Sequence, residues 1–213
     1  MTDPGPLLPQ QERSRRTMQR LLAATIAVIE KRGLSGVTIP AVAATARVST
    51  GSVYRRFADK EALIRAAFLQ VLAESQETNR TNLPADRFEG RILKDVLQAL
   101  SRALVSQYRG RTGLLKALDQ FLEFHADADF RKRATDLIEA NIQLIVKALL
   151  PFRNQIAAAD PHRAITFALL SAITLVEVHK LHDPLLWTRM LPLDDDALAE
   201  EAARSMAAYL GCK

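Results

Sequence analysis

The 213-residue chain has almost none of the residues that would staple or metallate a small protein, with one cysteine, Cys212, and four histidines. A single thiol cannot form an intramolecular disulfide framework or a multi-cysteine zinc site, so a reducing compartment is expected. Strict apolar/polar alternation is missing throughout, which argues against strands. No long uninterrupted apolar run occurs either. The longest, residues 164–176, is broken by Thr166, Ser171 and Thr174 and falls short of the ~20 residues a spanning helix needs. A buried helix is the expectation there, with no membrane partner. The first residues, with Asp3, Pro4, Pro6 and Pro9, lack the apolar core of a signal peptide, so a cytoplasmic location is expected. Signatures of catalysis are missing as well: there is no Walker loop, glycine-rich dinucleotide fingerprint, G-x-S-x-G or paired-histidine zinc helix. We therefore expect no enzyme activity and no cofactor. His179 and His182, near Glu177 and Asp183, are two ligands rather than a zinc set, and no metal is expected.

What is present is 48% hydrophobic and 25% charged, the make-up of a soluble globular protein of one large or two small domains. Charge is distributed unevenly. The chain holds 29 basic and 24 acidic residues, but residues 1–60 hold ten basic against four acidic, leaving the rest at a net −1. Between Lys31 and Ala58 there is no carboxylate at all. An acid-free basic segment is the footprint of a polyanion partner, because nothing in it repels phosphate. A solvated basic face would look the same by charge alone.

The hydrophobic period is helical nearly everywhere, so an all-α fold is expected. A first helix over 14–32 would bury Met18, Leu22, Thr25, Ile26 and Ile29 and stop at Gly33. Two short helices follow, over 38–46 and 50–57, joined by a turn at 47–49. Thr38 can cap the first, and Pro40 is tolerated in its opening turn. Asp59 opens a helix to about residue 79. Asp86 and Glu89 form a candidate capping box for a helix to Gly110, with Phe88, Ile92, Val96, Leu100, Leu104 and Tyr108 every four residues. Further helices are expected over 112–125, from Asp127 or Asp129 to Pro151, over 160–181 after the Asp160-Pro161 cap, and from Asp194–Asp196 to Leu210.

Residues 38–57 have the dimensions of a helix-turn-helix, in which the second helix enters the DNA major groove. Val53 and Phe57 are four apart and face the core, leaving Thr50, Ser52, Tyr54 and Arg55 opposite. Gly51, lacking a side chain, permits close approach to a phosphate or base. The run Val37-Thr38-Ile39-Pro40-Ala41-Val42-Ala43, followed by residues 48–63 in the pattern S-x-G-[ST]-[VL]-Y-x-x-F-x-x-K-E-x-L, closely resembles the DNA-binding region of the TetR family of bacterial transcriptional regulators.

The resemblance covers the first quarter to third of the chain and implies a three-helix DNA-binding domain followed by a larger helical domain. It implies that Thr38, Tyr54, Arg56 and Lys60 touch phosphates, while Thr50, Ser52 and Arg55 lie near base edges. Arg47, Ser49 and Gly51 complete the expected DNA-binding set. Two positions depart from the pattern: Arg47 stands where the family usually has glycine, and Ala41 where a carboxylate often completes the cap. The expected division is an N-terminal arm over 1–12, a DNA-binding domain over 13–60, and an effector-binding and dimerisation domain over 61–213. Arg13, Arg15 and Arg16 either reach a neighbouring minor groove or order only on DNA.

The resemblance also implies an unidentified small-molecule effector and a homodimer formed through the last two long helices. Independently, the helix over 160–181 is apolar nearly all round, more than one core face requires. Expected interface residues are Phe167, Leu170, Ile173 and Thr174 with Leu198, Ala202, Met206 and Tyr209. Arg102, Tyr108, Phe121, Phe124, His125, Asn141 and Trp187, polar or aromatic among apolar neighbours, are effector-pocket candidates, each equally readable as a satisfied core residue. The function expected is a DNA-binding regulator, a ligand-responsive repressor on a palindromic operator. The alternative is a helical small-molecule enzyme or carrier with an incidental basic segment.

Overall fold

The structure is a computed structural model that describes residues 9–84, 87–182 and 184–212. Residues 1–8 of the expected arm, Asp86 of the expected capping box and Asp183 lie outside them. All described elements are helical: α1 (Pro9–Arg32), α2 (Ile39–Ala46), α3 (Thr50–Tyr54), α4 (Lys60–Asn82), α5 (Leu93–Gly110), α6 (Thr112–Phe124), α7 (Ala128–Leu149), α8 (Pro161–Leu181), α9 (Leu185–Met190) and α10 (Asp195–Leu210). Short 3₁₀ segments cover Leu34–Gly36 and Leu150–Gln155.

Most helix starts are set by side chains close in sequence. Asp59, Asp127, Asp160 and Asp194 each accept the backbone N–H three residues on, at 2.6, 2.7, 3.0 and 2.8 Å, relieving one of the unpaired donors at a helix start. Gly33 and Gly211 end α1 and α10 at φ of +66° and +63°. At Gly211 a β-carbon would meet that of Ala157 at 2.7 Å, so glycine is required there by conformation and by space.

Three boundaries differ from expectation. α1 begins at Pro9, so residues 9–12 of the expected arm are helical. Its buried face is Leu21, Ala24, Thr25, Val28 and Ile29, with Met18, Leu22 and Ile26 only half-buried. α3 closes at Tyr54, with Phe57 beyond its end. α5 begins at Leu93 rather than near Asp86: residues 87–90 form turns, Gly90 has a φ of +72°, and the Leu93 N–H donates to Gln155 Oε1 at 3.0 Å. A partner 62 residues away starts this helix, so no local signal could mark it.

The chain divides into two compact units. The first comprises residues 1–71 and 117–134. In it α1 packs on α2 and α2 on α3, and Phe121 sits between Phe68 and Phe130, with ring centroids 5.5 and 5.3 Å away. The second comprises residues 72–116 and 135–213, where α5, α8 and α10 pack on one another. Their shared core includes Leu93, Val96, Leu97, Ile165, Ala168, Ala172, Ala202 and Met206. Outside it, Lys180 pairs with Asp195, which also meets Arg109 at 3.3 Å. The length and composition of α8 would allow it to cross a membrane, which a count of the unbroken apolar run does not register. Here its buried face, from Ala164 to Val176, is covered by protein.

Candidate nucleic-acid interface

The short segment between α1 and α4 is held by polar contacts that leave one surface free. Thr38, extended at φ −127°, accepts the Ala41 N–H at 3.2 Å and starts α2. Arg47 then takes the left-handed conformation at φ +54°, the single described non-glycine residue to do so. Its N–H bonds to the Ala44 carbonyl at 3.1 Å, and Val48 N–H to that of Ala43 at 3.0 Å. A left-handed arginine is uncommon but not forbidden, and here it turns the chain from α2 into α3.

Ser49 starts α3 by accepting the Ser52 N–H at 3.2 Å. A polar chain continues along the surface: the Ser49 and Ser52 hydroxyls lie 3.0 Å apart, and Arg55 Nη2 donates to Ser52 Oγ at 2.8 Å. Arg55 is thereby held beside Gly51, where a β-carbon would lie 4.0 Å from its Nη1. That position carries neither positive φ nor crowding, so the fold itself does not demand a glycine. Val53 and Phe57 are buried, as their spacing implies, while Thr50, Gly51, Tyr54 and Arg55 are exposed. Tyr54 keeps 60% of its surface in solvent.

Arg56 and Lys60 differ from their neighbours. Arg56 Nη1 donates to the Ser52 carbonyl at 3.0 Å and Nη2 to Ser14 Oγ at 3.5 Å, while its buried Nε has no partner. Its guanidinium joins α3 to α1 before meeting any ligand. Lys60 is half-buried and lies 3.6 Å from Glu61. Arg20, counted in the sequence only toward total charge, donates from Nη2 to the Ala46 carbonyl and, at 3.1 Å, to that of Arg47. It closes the C-terminal end of α2 from α1, a positioning role that no spacing rule signals.

Thr38, Arg47, Ser49, Thr50, Gly51, Ser52, Tyr54, Arg55, Arg56 and Lys60 thus lie on the caps of α2, the turn after it, α3 and its C-terminal end, and the start of α4. The effector-pocket candidates do not converge. Phe121, Phe124 and His125 line one groove of the first unit. Asn141 bonds to Asn79 at 2.8 Å and to Ser75 at 3.2 Å, Tyr108 packs beside Val105 and Val176, and Arg102 is exposed. Trp187 lies on α9, edge-on to His179 with ring centroids 4.8 Å apart.

The interface candidates separate by helix face. Phe167, Leu170 and Thr174 are exposed, with Ile173 half-buried, and Tyr209 meets Phe167 at 4.8 Å between ring centroids. Leu198, Ala202 and Met206 are 1%, 0% and 3% exposed and belong to the unit's own core, so they cannot meet a second chain. The choice of face fails because α10 buries its small-residue side against α5 and α8. Cys212 is half-buried against the same core. Burial pushes its thiol up, and Lys94 pulls it part of the way back.

Two short capped helices joined by a tight turn, their inner side chains buried and their outer ones unspent, make this an all-α helix-turn-helix protein. Residues 21–67 match the bacterial regulatory proteins of the tetR family. It is 39% identical over 69 residues to an uncharacterised HTH-type transcriptional regulator of Mycobacterium tuberculosis, a match covering 32% of this chain and 31% of the relative. The match therefore spans about a third of that relative's length. An uncharacterised HTH-type transcriptional regulator of Bacillus subtilis, YvkB, is 24% identical over 196 residues, covering 88% of this chain and 94% of the relative. In fold, the chain is similar to the solved structure of a TetR-family transcriptional regulator from Mesorhizobium loti. The TM-score is 0.72 at 18% identity, covering 93% of this chain and 97% of that one.

Proposed function

We propose that the chain is a ligand-responsive transcriptional regulator, a repressor, that binds a palindromic DNA operator as a homodimer in the cytoplasm. The observation that carries the reading is the outer surface of α3. Thr50, Gly51, Tyr54 and Arg55 are exposed there and serve no core, beside an acid-free basic segment. α3 enters the major groove: Arg55 reads a base edge with Thr50 and Ser52 beside it, and Gly51 admits the DNA backbone. Thr38, Tyr54 and Lys60 contact phosphates, with Arg47 and Ser49 at the turn. Arg56 serves chiefly to hold α3 on α1. Residues 13–60 act as the DNA-binding domain and 61–213 as the effector and dimerisation domain.

Two-fold readout needs two copies at fixed separation. The exposed stripe Phe167, Leu170 and Thr174, extended by Tyr209, is the surface that a second copy covers. Aromatic and aliphatic groups left in water there favour association. An effector acts by binding more tightly to a conformation whose two α3 helices no longer match adjacent grooves. Nothing in this reading calls for catalysis, cofactor or metal. The test is selection of bound fragments from a random duplex pool, followed by gel shift and sedimentation. A two-fold symmetric consensus bound by a dimer is expected. Absence of any sequence-dependent shift, or a dimer-free complex on a single half-site, sinks the reading.

A further inference from the structure

Within the first unit, a groove of about 500 Å³ is lined by Leu34 and Ser35 after α1, Lys60, Glu61 and Ile64 at the start of α4, and Gln120, Phe121, Phe124 and His125 at the end of α6. That volume falls in the range of small-molecule sites. Its floor is apolar and fixed, since Ile64 and Phe121 are almost wholly buried and Phe121 is wedged between Phe68 and Phe130. Its wall offers an uncovered ring: Phe124 is 71% exposed although it sits beside that core. His125 lies over Phe121 at 5.7 Å and 30°, adding a second flat surface.

The rim carries hydrogen-bonding side chains that the described protein leaves unused. None of Ser35, Gln120 and His125 is engaged through its side chain by another described residue beyond the ring stack. Among the described residues Lys60 meets only Glu61, at 3.6 Å, longer than a good charge-assisted bond. An uncovered aromatic face, a rigid apolar floor and a rim that, beside the Glu61 carboxylate, can donate from hydroxyl, amide and ammonium suit one kind of molecule. It has a flat apolar body and one anionic acceptor group.

We propose that this groove binds an aromatic carboxylate, with the ring against Phe124 and His125 and the carboxylate at Gln120, Ser35 and Lys60. Lys60 is also among the residues assigned to DNA phosphates, so ligand and DNA claim the same ammonium. Occupation of the groove weakens DNA binding, and DNA weakens ligand binding by the same factor. This second half rests on the function proposed above; the binding site itself does not.

The experiment uses the full chain and 2-naphthoate as probe, followed by calorimetry without DNA and then with a duplex selected for tight binding. Saturable binding is expected at one molecule per chain. Phe124→Ala should weaken it about tenfold through loss of the stacking face, and Gln120→Ala should weaken it by a smaller factor. Both residues are exposed, so the fold tolerates either change. Leu186→Ala, on the exposed surface of α9, is the control and should leave the affinity unchanged. Non-saturable binding, or equal affinity in the wild type and Phe124→Ala, overturns the site. Equally tight binding of neutral 2-naphthol overturns the anionic class. If the probe binds as described but leaves DNA affinity untouched, the shared use of Lys60 is wrong. A protein that binds the probe and no DNA at all refutes the regulator reading while leaving the groove in place.

Discussion

The helix-turn-helix and the α5–α8–α10 core are organised by different interactions. In the first, nearly every boundary is a contact between residues three to five apart, such as Thr38 with Ala41, Ser49 with Ser52 and Asp59 with Ala62. Its buried apolar positions are Ile39, Val42, Ala43, Ala46, Val53 and Phe57. In the second, position is set by burial among residues far apart in the chain, from Leu93 through Ile165 to Met206. A surface that must meet a partner of fixed shape is held by short directional bonds, which leave its outer side chains free. A scaffold can use non-directional packing, which says where its core lies but not which uncovered face has a purpose.

The sharpest way to break this contrast is Ala202→Asp. An unpaired charge at a site with no exposure should cost ~3–5 kcal/mol and unfold the second unit outright, seen as loss of its cooperative thermal transition. If the variant kept its fold and merely became monomeric, α10 would have been assigned the wrong inner face. Leu170→Asp should do the reverse. It lies on the exposed side of α8, so the unfolding transition should survive while sedimentation shows a monomer. DNA affinity should fall steeply, because one head makes half the contacts. A dimer in this variant would move the interface elsewhere.

Within the DNA-binding domain the expected effects are smaller and split by role. Arg55→Ala should relax selectivity at one base position of each half-site by ~1–3 kcal/mol. Measured on single-base operator variants, a uniform loss would place Arg55 on the backbone instead. Thr38→Ala should lower stability by about 1 kcal/mol through loss of the α2 cap, read by denaturant titration. Gly51→Ala carries the smallest effect on folding and the most informative sign. The new methyl would sit 3.9 Å from Ser49 Oγ, in ordinary contact, so stability should stay level or rise by roughly 0.5–1 kcal/mol. DNA binding should nevertheless weaken. An undiminished affinity would mean that nothing approaches Gly51 closely.

The same contrast decides what could be read from residue order alone. The turn at Arg47, the four aspartate caps and the inward pair Val53 and Phe57 were legible because their partners are neighbours. The start of α5 was not, because Gln155 supplies its partner from across the unit. Nor was the role of Arg20, whose acceptors lie 26 and 27 residues away. On α10 the apolar stripe of Leu198, Ala202 and Met206 could serve as a core or as an interface by its pattern, and only the positions of α5 and α8 assign it to the core. Periodicity locates a stripe on a helix but does not say what lies opposite it.

The apolar surface of α9 bears on how the protein behaves as a solute. Leu185, Leu186, Met190 and Leu191 stand in water within seven residues, and Arg189 is the single charge among them. The positive excess that would keep copies apart lies in the first 60 residues, and the remainder carries a net −1. Colloidal repulsion is therefore weakest where the surface is stickiest. Purified protein should lose solubility through this face as sulfate concentration rises, because excluded salts strengthen apolar contact while screening what repulsion remains.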